Sequence, residues 1–277
     1  MLVGIAVFTI TIHFFASVME LNYKQFGTGF PLIILHGLLG SLDNWQSIAK
    51  KIAEHGFTVY IIDQRNHGRS PHSAEFNYHL LSADLLEFMQ QHGIAKAHLL
   101  GHSMGGKTVM QFALQHPEKV EKLIVADIVP AAFDDRHSDV FEALFAANAG
   151  KANSREEVQQ VLREKLQDET TVQFLMKSLV RNDDGTGFSW RFNTEALWKN
   201  YGNISEEISA AQPYTGETLF IKGERSTYIN TGNYSSIAEL FVNHQLVEIQ
   251  GTGHWVHAEK PAEFIAEVLH FLAPAKG

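Results

Sequence analysis

The fold of this chain is decided by one stretch, Ala97-His98-Leu99-Leu100-Gly101-His102-Ser103-Met104-Gly105. An apolar run is followed by a G-x-S-x-G motif at 101–105, and a helical pattern then covers residues 106–116. Strand, sharp turn and helix in this order are typical of a nucleophile elbow, in which small neighbours leave room for a strained serine. The pattern predicts that Ser103 is a nucleophile. The alternative is a serine that only caps the helix.

A second loop offers the hydrogen-bond donors that an attacking serine needs. A short apolar strand pattern at 31–35 runs directly into His36-Gly37-Leu38-Leu39-Gly40. In sites of this type, two backbone N–H groups hold the oxyanion that develops on the substrate. The predicted donors are the N–H of Met104, after the nucleophile, and the N–H of Leu38. His36 and Gly37 are candidate substrate-binding residues, and the alternative for this loop is an ordinary turn.

A histidine late in the chain completes the order expected for a Ser-His-acid triad. His254 follows an alternating strand pattern at 246–249, on a loop that can reach back over the sheet edge to the serine. The chain has 15 histidines, and His254 is distinguished from them by its position. The nearest competitor, His257, is expected at the start of the final helix, where Pro261 suits the first turn. Trp255 is a candidate substrate-binding residue.

The acid of the triad has two candidates. The commonest arrangement places an Asp after the next-to-last strand, here 218–221, but the only carboxylate near that strand end is Glu224. The preceding strand, 120–126, ends in Asp127. Because neighbouring strand ends lie side by side, Asp127 can also reach the histidine and orient its imidazole. We predict Asp127, with Glu224 as the alternative; Asp127 could also be a turn cap before Pro130.

These motifs together resemble the α/β-hydrolase superfamily. The resemblance is carried by residues 36–37, 63–70 and 101–107, and it covers roughly residues 20–273. Residues 65–68, 106–107 and 253–261 resemble a narrower group, the YbfF-type esterases. The resemblance implies that the triad acid is the Asp that ends the strand after the nucleophile helix, which is Asp127 here. It also implies hydrolysis of carboxylic esters, including acyl thioesters.

The remaining pattern predicts an α/β fold with a mainly parallel central sheet and helices on both faces. Strand patterns such as 57–62 alternate with helical patterns at 41–54, 78–92 and 261–272. We predict a core formed by residues 20–130 and 213–277.

Residues 131–212 are predicted to form an inserted helical cap over the site. Between Pro130 and Pro213 no strand pattern is present, and four helical patterns cover residues 138–147, 154–166, 171–180 and 194–200. The block is rich in apolar side chains that either line a pocket for an acyl chain or form the cap's own core: Phe141, Phe145, Phe174, Leu175, Met176, Phe188, Trp190, Phe192 and Trp198.

Composition excludes several classes of function. The 277 residues carry a net charge of −9 with no basic stripe, which argues against nucleic-acid binding. Cysteine is absent, so disulfides and thiol catalysis are excluded. No cofactor or metal is expected, and the protein is expected to be a monomer or small homo-oligomer.

The first 19 residues form an apolar segment without Asp, Glu, Lys or Arg. Three interpretations stay open: translation that begins at Met19, a membrane anchor, or an export signal. We expect a cytoplasmic protein, with membrane contact only if residues 1–19 are retained as an anchor.

The predicted function is a serine carboxylic-ester hydrolase that acts on small to medium acyl esters through an acyl-enzyme, with acyl-CoA thioesters as further candidates. Lys107 is a candidate contact for such an anionic substrate; the alternatives are an ion pair near the helix start or a tether to a neighbouring loop. A carbon–carbon bond hydrolase or a lactonase could use the same Ser-His-Asp triad, and a ligand-binding receptor could use the same fold.

Overall fold

Seven strands form one sheet in the part of the chain that the computed structural model describes, residues 19–273. The sheet order is β1-β3-β2-β4-β5-β8-β9, in which β1 is antiparallel to β3 and every other pairing is parallel. The strands, together with a separate hairpin of β6 and β7, are β1 Tyr23–Phe26, β2 Phe30–Leu35, β3 Phe57–Ile62, β4 Ala97–His102, β5 Val120–Ala126, β6 Leu179–Arg181, β7 Phe188–Trp190, β8 Thr218–Gly223 and β9 His244–Ile249.

Helices cover both faces of the sheet because the central strands are apolar on both sides. The α-helices are α1 Gln46–Ala53, α2 Tyr78–Gln91, α3 Met104–Gln115, α4 Ser138–Ala147, α5 Arg155–Lys165, α6 Glu169–Lys177, α7 Thr194–Lys199, α8 Tyr201–Ser205, α9 Ser235–Leu240, α10 Val256–Glu259 and α11 Pro261–Leu272. Alternate strand residues such as Ile33 and Leu99 pack with α2 and α3, while Ile34 and Leu100 pack with α1 and α11.

Strand register brings the loops of the site to one edge of the sheet. Leu35 of β2 pairs with Gly101 of β4, Gly101 with Val125 of β5, and Val125 with Phe220 of β8. In parallel strands the carboxyl ends then lie side by side, which is where open α/β sheets bind ligands. The loops after β2, β4, β5 and β8 therefore begin as neighbours.

The segment between β5 and β8 corrects one prediction. It contains α4–α8, as the helical patterns indicate, but it also contains the antiparallel hairpin of β6 and β7, where no strand was expected. The helix predicted over 171–180 ends at Lys177, and Leu179 then pairs with Trp190. Three-residue strands are too short to show an alternating pattern, so the sequence does not reveal them.

The predictions for the N-terminal segment lie mostly outside the described residues, since these begin at residue 19. Among residues 19–273, no helix is both long and apolar enough to cross a membrane.

Candidate active site

Ser103 lies at the sharp turn between β4 and α3. Its backbone has φ 52° and ψ −120°, a conformation that is rare and strained for a residue with a side chain. Glycine is required on both sides, because a Cβ at Gly101 would lie 2.1 Å from the Gly105 carbonyl oxygen, and one at Gly105 would lie 2.4 Å from the Leu35 carbonyl oxygen. The turn packed against β2 thus holds the serine hydroxyl at the sheet edge.

Asp127 and His254 meet at the same edge. His254 Nδ1 donates a hydrogen bond of 2.7 Å to Asp127 Oδ2, across 127 positions of sequence. Asp127 is fully buried and also accepts from the Gly223 N–H at 3.0 Å and from the Ser226 hydroxyl. With its proton on Nδ1, the imidazole keeps the Nε2 lone pair free to accept a proton.

Glu224, the alternative acid, makes no hydrogen bond to His254 within residues 19–273. Its side chain is exposed, and its Oε2 accepts from the Gly251 N–H at 2.7 Å. The structure therefore brings Asp127, rather than Glu224, to the histidine.

Two further residues hold His254, and no motif in the sequence predicts either role. His102 Nε2 donates to the His254 carbonyl oxygen at 2.9 Å, which fixes the backbone of the loop. Tyr228 stacks on the His254 ring with centroids 3.9 Å apart and planes 18° apart, and the Arg136 guanidinium lies 4.4 Å from the centre of the Tyr228 ring. Tyr228 is on the loop after β8, where a triad acid is commonest, and nothing in its spacing marks it.

Ser103 and His254 line one cavity of about 440 Å³. Gly37, Leu38 and Trp255 line it as well. A Cβ at Gly37 would lie 3.0 Å from His102 Nδ1 and 3.3 Å from Ser103 Cβ, so glycine lets the loop approach Ser103 closely. Neither the Leu38 N–H nor the Met104 N–H donates a hydrogen bond within residues 19–273. Both donors remain available for a substrate oxygen.

Comparison with known proteins identifies the family. The sequence model of the alpha/beta hydrolase fold family matches residues 31–261 of this chain. The chain is 38% identical over 249 residues to the sn-1-specific diacylglycerol lipase ABHD11 of Mus musculus (87% of this chain, 80% of the relative). It is 35% identical over 245 residues to the esterase YbfF of Escherichia coli K12 (87% and 92%). A solved marine microorganism esterase superposes with a TM-score of 0.89 at 42% identity, covering 92% of this chain and 100% of that one. The chain belongs to the α/β-hydrolase family.

The resemblance to α/β hydrolases, and to YbfF in particular, is thus confirmed, as is the predicted fold class. The similarity to proteins named as esterases and lipases supports the predicted enzyme class, a carboxylic ester hydrolase.

Two candidate substrate-binding residues of this α/β hydrolase are engaged elsewhere. His36 is buried, with Nδ1 donating to the Gly37 carbonyl at 2.8 Å and Nε2 accepting from the Gln64 N–H at 3.1 Å. Burial lowers the pKa of His36, so the ring is neutral and stabilises the loop through these two hydrogen bonds. Lys107 is also fully buried: its ammonium donates to the Glu206 carbonyl and lies 4.9 Å from the centre of the Phe133 ring.

Lys107 therefore links α3 to the residue that follows α8, in the segment between β5 and β8. Of the three roles considered for Lys107, this is the tether to a neighbouring loop. Burial lowers the pKa of its ammonium group to about 7.

Aromatic residues of the segment between β5 and β8 pack in a core that this segment shares with Leu38, Tyr78 and other residues outside it. Phe141, Phe188 and Phe192 are buried, whereas Phe145 and Trp198 are exposed. Phe174 and Leu175, from the same predicted set, line the cavity that holds Ser103.

Proposed function

We propose that this α/β hydrolase is a serine carboxylic-ester hydrolase with Ser103 as nucleophile, His254 as general base and Asp127 as the acid of the triad. The observation that carries the proposal is the hydrogen bond of 2.7 Å that His254 Nδ1 donates to the buried Asp127. The same histidine lines a cavity together with Ser103, whose backbone is strained. This is the constellation that acyl-transfer chemistry requires.

In the proposed first half-reaction, His254 Nε2 takes the proton of the Ser103 hydroxyl while the serine oxygen attacks the acyl carbonyl. The negative charge on the carbonyl oxygen is stabilised by the N–H groups of Leu38 and Met104, which have no other partner within residues 19–273. The carbon–oxygen bond to the alcohol then breaks, and His254 gives its proton to the departing oxygen. Asp127 stabilises the imidazolium throughout.

In the second half-reaction a water molecule attacks the acyl-enzyme. His254 takes the proton of the water, and the tetrahedral intermediate collapses as the proton passes to the Ser103 oxygen. Product acid leaves, and the serine hydroxyl is restored.

The cavity supports small to medium acyl groups as substrates. Its apolar lining includes Leu38, Leu39, Val140 and Leu175, and its volume is about 440 Å³. We propose residues 131–212 as the cap, because α4 and α6 contribute lining residues above Ser103. Acyl thioesters would react by the same steps with a thiol as the leaving group.

The test is hydrolysis of nitrophenyl esters from acetyl to palmitoyl, with tributyrin and acyl-CoA thioesters alongside and Ser103→Ala as the control. We expect turnover to fall in Ser103→Ala by on the order of 10³-fold or more. Equal turnover by the wild type and Ser103→Ala on every acyl group would refute the proposal.

A further inference from the structure

A second cavity, of about 620 Å³, adjoins the one that holds Ser103. It lies between the loop after β2, helix α6 and the segment around α10. Gly37, His102, Phe174 and Trp255 line both cavities. The two spaces therefore meet beside the nucleophile, with the rings of Phe174 and Trp255, 4.3 Å apart, at their boundary.

The proposed chemistry directs the leaving group towards this second cavity. His254 must give its proton to the departing alcohol oxygen, so the alcohol lies on the His254 side of Ser103. The carbonyl oxygen points the other way, to the N–H groups of Leu38 and Met104. Trp255 directly follows His254 and borders the second cavity. An alcohol that leaves past His254 can therefore reach Trp255, whose ring centroid lies 5.7 Å from that of His254.

The second cavity offers neutral hydrogen-bonding groups without partners. His257 lines it, is 3% exposed, and neither of its ring nitrogens makes a hydrogen bond within residues 19–273. Its ring stacks on Trp45 with centroids 4.2 Å apart and planes 7° apart. Burial, with the nearby His254 and Lys177, lowers the pKa of His257 to about 3, so the ring is neutral. Its Nδ1 is enclosed, and its Nε2 is the nitrogen that can donate or accept a hydrogen bond, depending on the tautomer.

Gln173 of α6 adds an amide to the same lining. Its side chain is exposed, and its Nε2 donates to Glu169 Oε1 at 2.6 Å, which leaves the amide oxygen and one N–H free.

The acidic side chains of the lining are already paired. Asp43 forms ion pairs with Lys24 at 2.9 Å and with Arg191 at 3.0 Å. Glu259 forms an ion pair with Arg225 at 3.2 Å. The remaining charge, Lys177, is exposed to solvent. Aromatic rings beside neutral donors and acceptors suit a ligand rich in hydroxyl groups, because such a ligand loses hydrogen bonds to water and needs them replaced.

We propose that the second cavity binds the alcohol part of the ester, and that this alcohol carries several hydroxyl groups, held by His257 and Gln173 against Phe174 and Trp255. The inference rests on the proposed serine esterase function and specifies its substrate on the leaving-group side.

The experiment compares two esters that share the acyl group and differ in hydroxyl groups. Methyl 6-O-butyryl-glucopyranoside and cyclohexylmethyl butyrate both attach butyrate to a CH₂ on a six-membered ring. We expect the wild type to have a kcat/KM at least roughly tenfold higher for the glucoside ester, since a few hydrogen bonds to neutral groups supply a factor of that size. Release of butyric acid, followed by pH-stat titration, measures both.

Two variants test the assigned groups. His257→Phe keeps an aromatic ring stacked on Trp45 but removes both nitrogens, and Gln173→Leu removes the amide from an exposed position. In each, we expect the preference for the glucoside ester to fall severalfold. The matched control is Gln160→Leu, another exposed glutamine on a helix, bonded to Glu164 four residues away and outside both cavities. Its preference is expected to equal that of the wild type.

Equal kcat/KM for the two esters in the wild type would overturn the inference, as would a preference that survives in both variants. If His257→Phe fails to fold, as judged by its thermal melting, Gln173→Leu decides alone. Failure of the proposed function is distinguishable, because the nitrophenyl esters would then also show no Ser103-dependent hydrolysis.

Discussion

Replacing Asp127 by Asn tests the assignment of the triad acid most directly. Asn is nearly isosteric with Asp and tolerates the positive φ of 54° at this position, so the backbone need not change. The buried carboxylate accepts hydrogen bonds from His254 Nδ1, the Gly223 N–H and the Ser226 hydroxyl. An amide offers one oxygen and one NH₂ group in place of two acceptor oxygens.

Neither orientation of the amide that Asp127→Asn introduces reproduces the carboxylate, and in both a neutral amide lacks the charge that stabilises the His254 imidazolium. If its oxygen keeps the Gly223 N–H, its NH₂ faces His254 Nδ1, and the imidazole must move its proton to Nε2, where it can no longer act as a base. If the amide is reversed, its NH₂ lies against the buried Gly223 N–H, which costs about 1–3 kcal/mol for an unsatisfied donor. We therefore expect kcat to fall on the order of 10³- to 10⁴-fold, which corresponds to about 4–5.5 kcal/mol.

The assay is the steady-state hydrolysis of nitrophenyl butyrate by the wild type, Asp127→Asn and Glu224→Gln. KM should change little in Asp127→Asn, because Asp127 is fully buried and does not line the cavity. Glu224→Gln should keep kcat within about threefold of the wild type, since the side chain is exposed and the Gln amide oxygen can still accept the hydrogen bond from the Gly251 N–H. A mild Asp127→Asn together with a damaging Glu224→Gln would contradict the assignment.

Contacts around the site support three further predictions. Tyr228→Leu removes the ring stacked on His254 and should lower kcat roughly threefold to tenfold. Tyr228→Phe keeps the ring and should have the kcat of the wild type. Equal kcat values for the two variants would contradict a stacking role. Burial lowers the pKa of Lys107 to about 7, whereas an unfolded lysine has a pKa of about 10.4. Between these two values the unfolded state binds more protons than the folded state. The contribution of Lys107 to the free energy of unfolding therefore increases as pH rises from about 7 to about 10. Urea unfolding of the wild type and Lys107→Met at pH 7 and pH 9.5 should show this gain in the wild type alone. Esterase activity should survive EDTA, and a loss restored by a divalent metal would contradict a metal-free mechanism.

The central elements were predictable from the sequence because their signals are local. Apolar runs at 31–35, 57–62 and 120–126 match β2, β3 and β5, and the predicted final helix matches α11. The elbow at Ser103 was predictable for the same reason, since the need for glycine at 101 and 105 arises from a turn five residues long.

Other features depend on contacts that no local pattern records. The β6–β7 hairpin is too short for periodicity to reveal, and Lys107 gains its partner, Glu206, only through folding across 99 positions. Tyr228 and Ser226 gain contacts with His254 and Asp127 because the β8 loop lies next to the β5 loop in the sheet.

The amino-acid pattern alone therefore predicts the strand–helix order, the elbow at Ser103, and the short set of residues able to serve as base and acid. It left Asp127 and Glu224 both open, since each follows a strand that ends at the same sheet edge. The tertiary structure decided which carboxylate meets His254, because a hydrogen bond of 2.7 Å depends on the path of two loops far apart in sequence. It also decided that the space beside Ser103 is divided in two at Phe174 and Trp255, since these rings come from separate elements that only packing brings together.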